Sequence, residues 1–157
     1  MKLVAVEEIP RLTNEVATDD PIAVFRKFLT LQAICEQANG IGLAAVQIGL
    51  HDRMFVTKNQ NGTFRYFINA KYTPVGDEKF TSCEGCLSLP GRAFLVSRYK
   101  IINVTGTEMI VGEGVVFHDV GFDVSDLLYT AVFQHEIGHC YGELISEIGK
   151  EVRVRQL

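Results

Sequence analysis

Gln134-His135-Glu136-Ile137-Gly138-His139 contains an H-E-x-x-H pattern. Two histidines four residues apart lie about 40° from each other around a helix, so both rings can reach one metal ion. Glu136, one step beyond the first histidine, can meet a water on that ion without ligating it, as a general base must. A catalytic metal takes three protein ligands and keeps one position open. In zincin peptidases with the extended motif, a third histidine follows three residues after a glycine. Gly142 is kept here, but that position is Ile145, so the third ligand must come from elsewhere.

The other histidines, His51 and His118, read as ordinary surface residues in a turn and at a strand end. Four cysteines remain: Cys35, Cys83, Cys86 and Cys140. Cys35 falls on the apolar face of a helix and reads as core, and Cys140 points about 100° away from His139. Cys83-x-x-Cys86 leaves two readings open. Both thiols with both histidines would make a closed, structural Cys2His2 site. One thiolate, two imidazoles and a water would make an open, catalytic one, the arrangement in which Glu136 has a use.

These residues need a scaffold. The 157 residues are 47% hydrophobic and 22% charged, with a net charge of −4. That profile fits one globular domain spanning 1–157. It excludes a nucleic-acid binder relying on bulk charge. No apolar run reaches the roughly 20 residues of a membrane span, and no targeting peptide is legible. Asp20-Pro21 starts a helix that runs to about residue 38, with Ile22, Phe25, Phe28 and Leu29 on a largely buried face, and Asn39-Gly40 stops it. Gly40–Gln47 contains G-x-G-x-x-A, but it follows a helix and leads into a strand, the wrong context for a dinucleotide loop. Small residues there leave room for another backbone, and Gln47, polar amid apolar neighbours, needs a partner. Strands are expected at 53–57 and 64–70 as a hairpin, then at 72–75, 93–97, 100–105, 108–111 and 114–119. Asp123 or Ser125 caps the last helix, with Leu127, Leu128, Ala131 and Val132 inward. The tail from Glu143 reads as a final strand or as disorder. The sum is an α+β fold: mostly antiparallel strands around a central metal-binding helix, with a buried N-terminal helix.

Three stretches in order, Gly40–Gln47 (G-I-G-L-A-A-V-Q), Glu84–Ser88 (E-G-C-L-S) and Gln134–His139 (Q-H-E-I-G-H), resemble the motifs of the peptide deformylase family. The resemblance implies Cys86, His135 and His139 as metal ligands, with Cys83 left out. It implies Glu136 as general base and then acid, and Gln47 with the Leu87 backbone N–H as oxyanion donors. Ile41, Gly42, Glu84 and Gly85 would line a groove for an extended peptide, Ala131 and Val132 a methionine pocket, and Arg98 would lie near substrate. The implied reaction removes formyl from N-formylmethionyl peptides of nascent proteins. The implied cofactor is one divalent ion, Fe²⁺ natively, with Zn²⁺ or Ni²⁺ as substitutes on purification. The implied setting is the cytoplasm, with transient ribosome contact, no direct nucleic-acid site and no membrane.

The chain departs from the family at three places. Gly138 stands where the family usually has Asp, removing a carboxylate close to the second histidine at a helix cost of about 1 kcal/mol relative to Ala. Cys140 replaces the usual Leu, and Asn69-Ala70 lacks the common proline. The stretch after the metal helix is short, as in deformylases carried by bacterial viruses, whose setting would be the host cytoplasm; a truncated organellar form would share that shortness. The competing functions are a zincin-like endopeptidase, a non-catalytic zinc module and a deformylase-like protein inactivated by Gly138.

Overall fold

The computed structural model describes residues 1–154. Eight strands and three helices follow in the order α1 (Pro21–Gln37), β1 (Gly42–Ala44), β2 (Met54–Lys58), β3 (Phe64–Pro74), β4 (Lys79–Cys86), β5 (Leu89–Tyr99), β6 (Ile102–Val111), β7 (Val115–Val124), α2 (Leu127–Cys140), α3 (Ile145–Ile148) and β8 (Lys150–Val152). The large sheet has the order β1-β2-β3-β6-β7 and the small one β4-β5-β8. Pairings between these strands are antiparallel throughout. The α+β architecture is as the sequence led us to expect.

The large sheet is covered on both faces. In β2, Met54 and Val56 join the core under α1, while Phe55 between them joins the core under α2. Period-two alternation does this: successive side chains leave a strand on opposite faces. Phe55 stacks on Phe67 at 5.3 Å between centroids, and Phe133 of α2 meets both rings edge-on. α2 also packs against β5, so it is wedged between the two sheets.

Asp20 caps α1, its side chain accepting from the Ala23 N–H at 3.0 Å, and Asn39 stops it at φ 53°. The helix is less buried than expected. Val24, Phe28, Leu31 and Cys35 face the sheet, whereas Ile22 and Leu29 remain 54% and 46% exposed. A helix laid on one sheet face buries a stripe, not its circumference.

Leu127 and Leu128 of α2 are likewise exposed rather than inward. The cap of α2 is Asp126, whose carboxylate accepts from the Leu128 and Tyr129 N–H groups. Asp123 is unavailable because β7 runs on to Val124 and Asp123 pairs with Asn103. The helix ends in a Schellman turn. The Glu143 N–H bonds to the Gly138 carbonyl, the Gly142 N–H to that of His139, and Gly142 takes φ 81°.

Three strand boundaries differ from expectation. The segments 100–105 and 108–111 are one strand, β6. Gly106 in its middle is not a break but a close approach: a Cβ there would lie 2.7 Å from the Ala70 Cα, beside the irregularity between Ile68 and Lys71 of β3. Residues 72–74 continue β3 past that irregularity. The cysteine-bearing stretch, left without an element, is strand β4. In the tail, β8 pairs with β5 and Ile145 is core; residues 155–157 lie outside the described part.

Phe67 is fully buried and touches Phe55, Phe122 and Phe133. Phe67→Ala is expected to lose about 3–5 kcal/mol of stability in urea denaturation. A loss near zero would contradict this account of the core.

Candidate metal centre

The centre forms where α2 faces the end of β4. His135 and His139, one turn apart, bring their Nε2 atoms to 3.1 Å. The Cys86 Sγ lies 3.5 Å from the His139 Nε2. The ligand atoms of Cys86, His135 and His139 all fall within 4.8 Å of one another. A tetrahedral ion about 2.0–2.1 Å from nitrogen and about 2.3 Å from sulfur spaces N from N by roughly 3.3 Å and N from S by roughly 3.5 Å. The observed 3.1 and 3.5 Å match those edges. Cys83 is exposed and outside the cluster, so its thiol does not converge with the other three groups.

The electrostatics fit a cation. Burial opposes charge on His135, but its hydrogen bonds to Cys86 and Glu84 outweigh it and push its pKa up to about 10. His139 is driven well below the usual histidine value by burial and then by His135. Two adjacent imidazoles thus cannot both be imidazolium, while the carboxylates around them favour positive charge. One divalent ion between neutral rings meets both demands.

Behind His135 lies a buried ion pair. The His135 Nδ1 is 2.9 Å from the Glu84 Oε1. Glu84 accepts from the Arg98 Nε at 2.8 Å and Nη2 at 2.7 Å. Burial raises the Glu84 pKa, but the hydrogen bonds from Arg98 and His135 win and hold it at about 2. In the neutral ring that binds an ion, an ionised Glu84 accepts a hydrogen bond from the Nδ1–H and so leaves the Nε2 lone pair towards the cluster. This places Arg98 differently from the expected substrate contact. It is 2% exposed, lies outside the cavity lining and is committed to Glu84.

Gln47, 1% exposed on the short 3₁₀ turn after β1, finds its partners within the protein. Its Oε1 accepts from the Ala44 N–H at 3.0 Å, and its Nε2 donates to the Ser88 Oγ at 3.1 Å and faces the Cys86 Sγ at 3.4 Å. A donor therefore sits beside the cluster. Glu136 is 4% exposed, and burial raises its pKa to about 7. Its Oε2 and the His139 Nδ1 are buried without hydrogen-bond partners among the described residues. Gly42 makes room for it, since a Cβ there would lie 2.8 Å from the Glu136 Oε1.

A cavity of about 620 Å³ opens over the cluster. Its lining takes in Ile41, Gly42, Glu84 and Gly85 on the strand side and Ala131 and Val132 on the helix side, together with Gln47, Cys86, Leu87, His135 and Glu136. Of the residues anticipated at the site, only Arg98 and His139 are outside it. Two residues that position the site had no assigned role in the sequence. Gln134 ties α2 to the end of β5, its Oε1 accepting from the Tyr99 N–H and its Nε2 donating to the Tyr99 carbonyl, both at 3.0 Å. Ser88 holds Gln47. A polar side chain beside the first histidine was the available signal for Gln134.

Residues 11–153 match the family model of polypeptide deformylase. Peptide deformylase 1 of Corynebacterium glutamicum is 37% identical over 69% of this chain and 62% of its own length, just under two thirds of it. The peptide deformylase of Fusobacterium nucleatum is 30% identical over 95% of this chain and 84% of its own. Among solved structures, a probable peptide deformylase from a Synechococcus phage superposes with a TM-score of 0.79 at 27% identity, covering 94% of this chain and 99% of that one. The chain belongs to the polypeptide deformylase family.

Proposed function

We propose that this chain deformylates N-formylmethionyl peptides with one divalent ion held by Cys86, His135 and His139. The observation that carries the reading is the convergence of one thiol and two imidazole nitrogens beside a buried Glu136 whose Oε2 has no hydrogen-bond partner among the described residues. The bound ion supplies Lewis acidity, lowering the pKa of water from about 15.7 towards roughly 7. One thiolate and two imidazoles suit Fe²⁺, Zn²⁺ or Ni²⁺, and we assign Fe²⁺ as the native ion.

The chain's own groups do the rest. Glu136, whose burial raises its proton affinity, takes the proton of the attacking water and gives it to the leaving amine, releasing formate. The Gln47 Nε2 and the Leu87 backbone N–H donate to the developing oxyanion; loss of one such donor typically costs about 3–4 kcal/mol. Glu84 and Arg98 hold His135 rather than substrate. Ile41 and Gly42 face Gly85 across the cavity, where an extended peptide can add as a strand. Ala131 and Val132 offer the methionine side chain an apolar wall. We place this action in the cytoplasm of a bacterial host, on chains leaving its ribosomes.

Formate release from formyl-Met-Ala-Ser, by protein loaded under nitrogen with Fe²⁺, Ni²⁺ or Zn²⁺, tests the reading. Turnover is expected, falling at least about 100-fold in Glu136→Gln. Folded, metal-bound protein silent with all three ions would overturn it. A second expectation concerns Glu84. Glu84→Gln should weaken metal binding about 10–100-fold in a competitive chelator titration. Its folded pKa of about 2 lies below the ordinary 4.5. Its ion pair therefore stabilises the metal-free protein above that ordinary value and fades as pH falls through the folded one. Glu84→Gln should flatten that acid loss of stability, and an unchanged acid limb would count against the pair.

A further inference from the structure

Arg98 is a buried cation with one carboxylate fully engaged and a second within reach. Its Nε and Nη2 grip Glu84, while its Nη1 lies 3.7 Å from the Glu143 Oε1. Glu143 follows α2, with its N–H bonded at 2.9 Å to the Gly138 carbonyl. Its side chain folds back over that residue. A Cβ built on Gly138 would lie 2.7 Å from the Glu143 Oε1 and 3.4 Å from its Cδ. The carboxylate thus occupies the space that any side chain at 138 would claim. Gly138 is itself buried and one residue before the ligand candidate His139.

We propose that Glu143 is a positioning residue of the metal centre, reaching back over Gly138 to give Arg98 the second carboxylate that an aspartate at 138 would otherwise supply. The inference rests on reading Cys86, His135 and His139 as metal ligands. The order of contacts is Glu143 to Arg98, Arg98 to Glu84, Glu84 to His135. The first is an ion pair that sets a charge opposite the Arg98 Nη1; the next two are hydrogen bonds, and the last orients the ring that faces the ion. Gly138 is then not a lost carboxylate. It is the opening through which a carboxylate five residues on takes that place. The two positions exclude each other: any β-carbon at 138 pushes the flexible end of Glu143 away from Arg98.

The test uses Co²⁺ as probe, with affinity read from its thiolate-to-metal absorbance, so that it does not depend on turnover. Glu143→Ala should bind Co²⁺ about 3–10-fold more weakly, less than loss of a direct partner of a ligand. Adding Gly138→Asp to that variant should restore affinity to within about twofold of the unaltered protein, whereas Gly138→Asp alone should bring no gain. Glu143→Ala binding as tightly as the unaltered protein would overturn the proposal, as would a folded double variant without recovery. If the double variant does not fold, Glu143→Ala alone decides. A protein that binds Co²⁺ through one thiolate yet releases no formate would refute the deformylase reading without touching this one.

Discussion

A guanidinium 2% exposed to solvent, gripped along its Nε–Nη2 edge by both oxygens of one carboxylate, underlies the rest of the site. Removing such ions from water costs several kcal/mol each, recovered only with close geometry and full hydrogen bonding. Arg98 and Glu84 have the close geometry, with two bonds of 2.8 Å or less between them, and Glu84 has a further partner in the His135 Nδ1. That last contact gives the pair its consequence. A carboxylate kept ionised holds the His135 N–H on its own side and directs the ring's lone pair to where the Cys86 Sγ and the His139 Nε2 also point.

The fold brings these groups together from three directions. β4 carries Glu84 and Cys86, β5 carries Arg98, and α2 carries the histidines and Glu136. The two strands are hydrogen-bonded neighbours, with Glu84 paired to Phe94. α2 is fixed from both sides: by its aromatic contacts to the large sheet through Phe133, and by Gln134, which reaches the backbone of Tyr99, next to Arg98. One helix thus connects the candidate metal cluster to both sheets. Gln47 arrives from a fourth element, the short turn after β1, and Gly42 in that strand leaves Glu136 its space.

Local chemistry in the sequence was read well, and distant contact poorly. Asp20-Pro21 started α1 where expected, and the H-E-x-x-H spacing placed two imidazoles together, because both are settled within one helical turn. Gly40–Gln47 was legible as a close-approach segment, though not what approached: the carboxylate of Glu136. The single strand β6 was expected as two, 100–105 and 108–111, because nothing local reveals that Gly106 lies against Ala70. Asp126 was passed over as a cap because the length of β7 is set by pairing with β6. Arg98 looked like a substrate contact in isolation. Its partner lies across a strand pair, and only burial shows that its charge is already engaged. Gly138 looked like a loss for the same reason, since Glu143 reaches it only once the turn at Gly142 is formed.

The central claim is that three side chains, one sulfur and two nitrogens, converge on one ion while Cys83 stays out. X-ray absorption at the metal edge of protein reconstituted with a single equivalent of Zn²⁺ reads that set directly. The account predicts one sulfur at about 2.3 Å, two imidazole nitrogens at about 2.0–2.1 Å and one further light atom. Two sulfurs in that shell, or none, would contradict it.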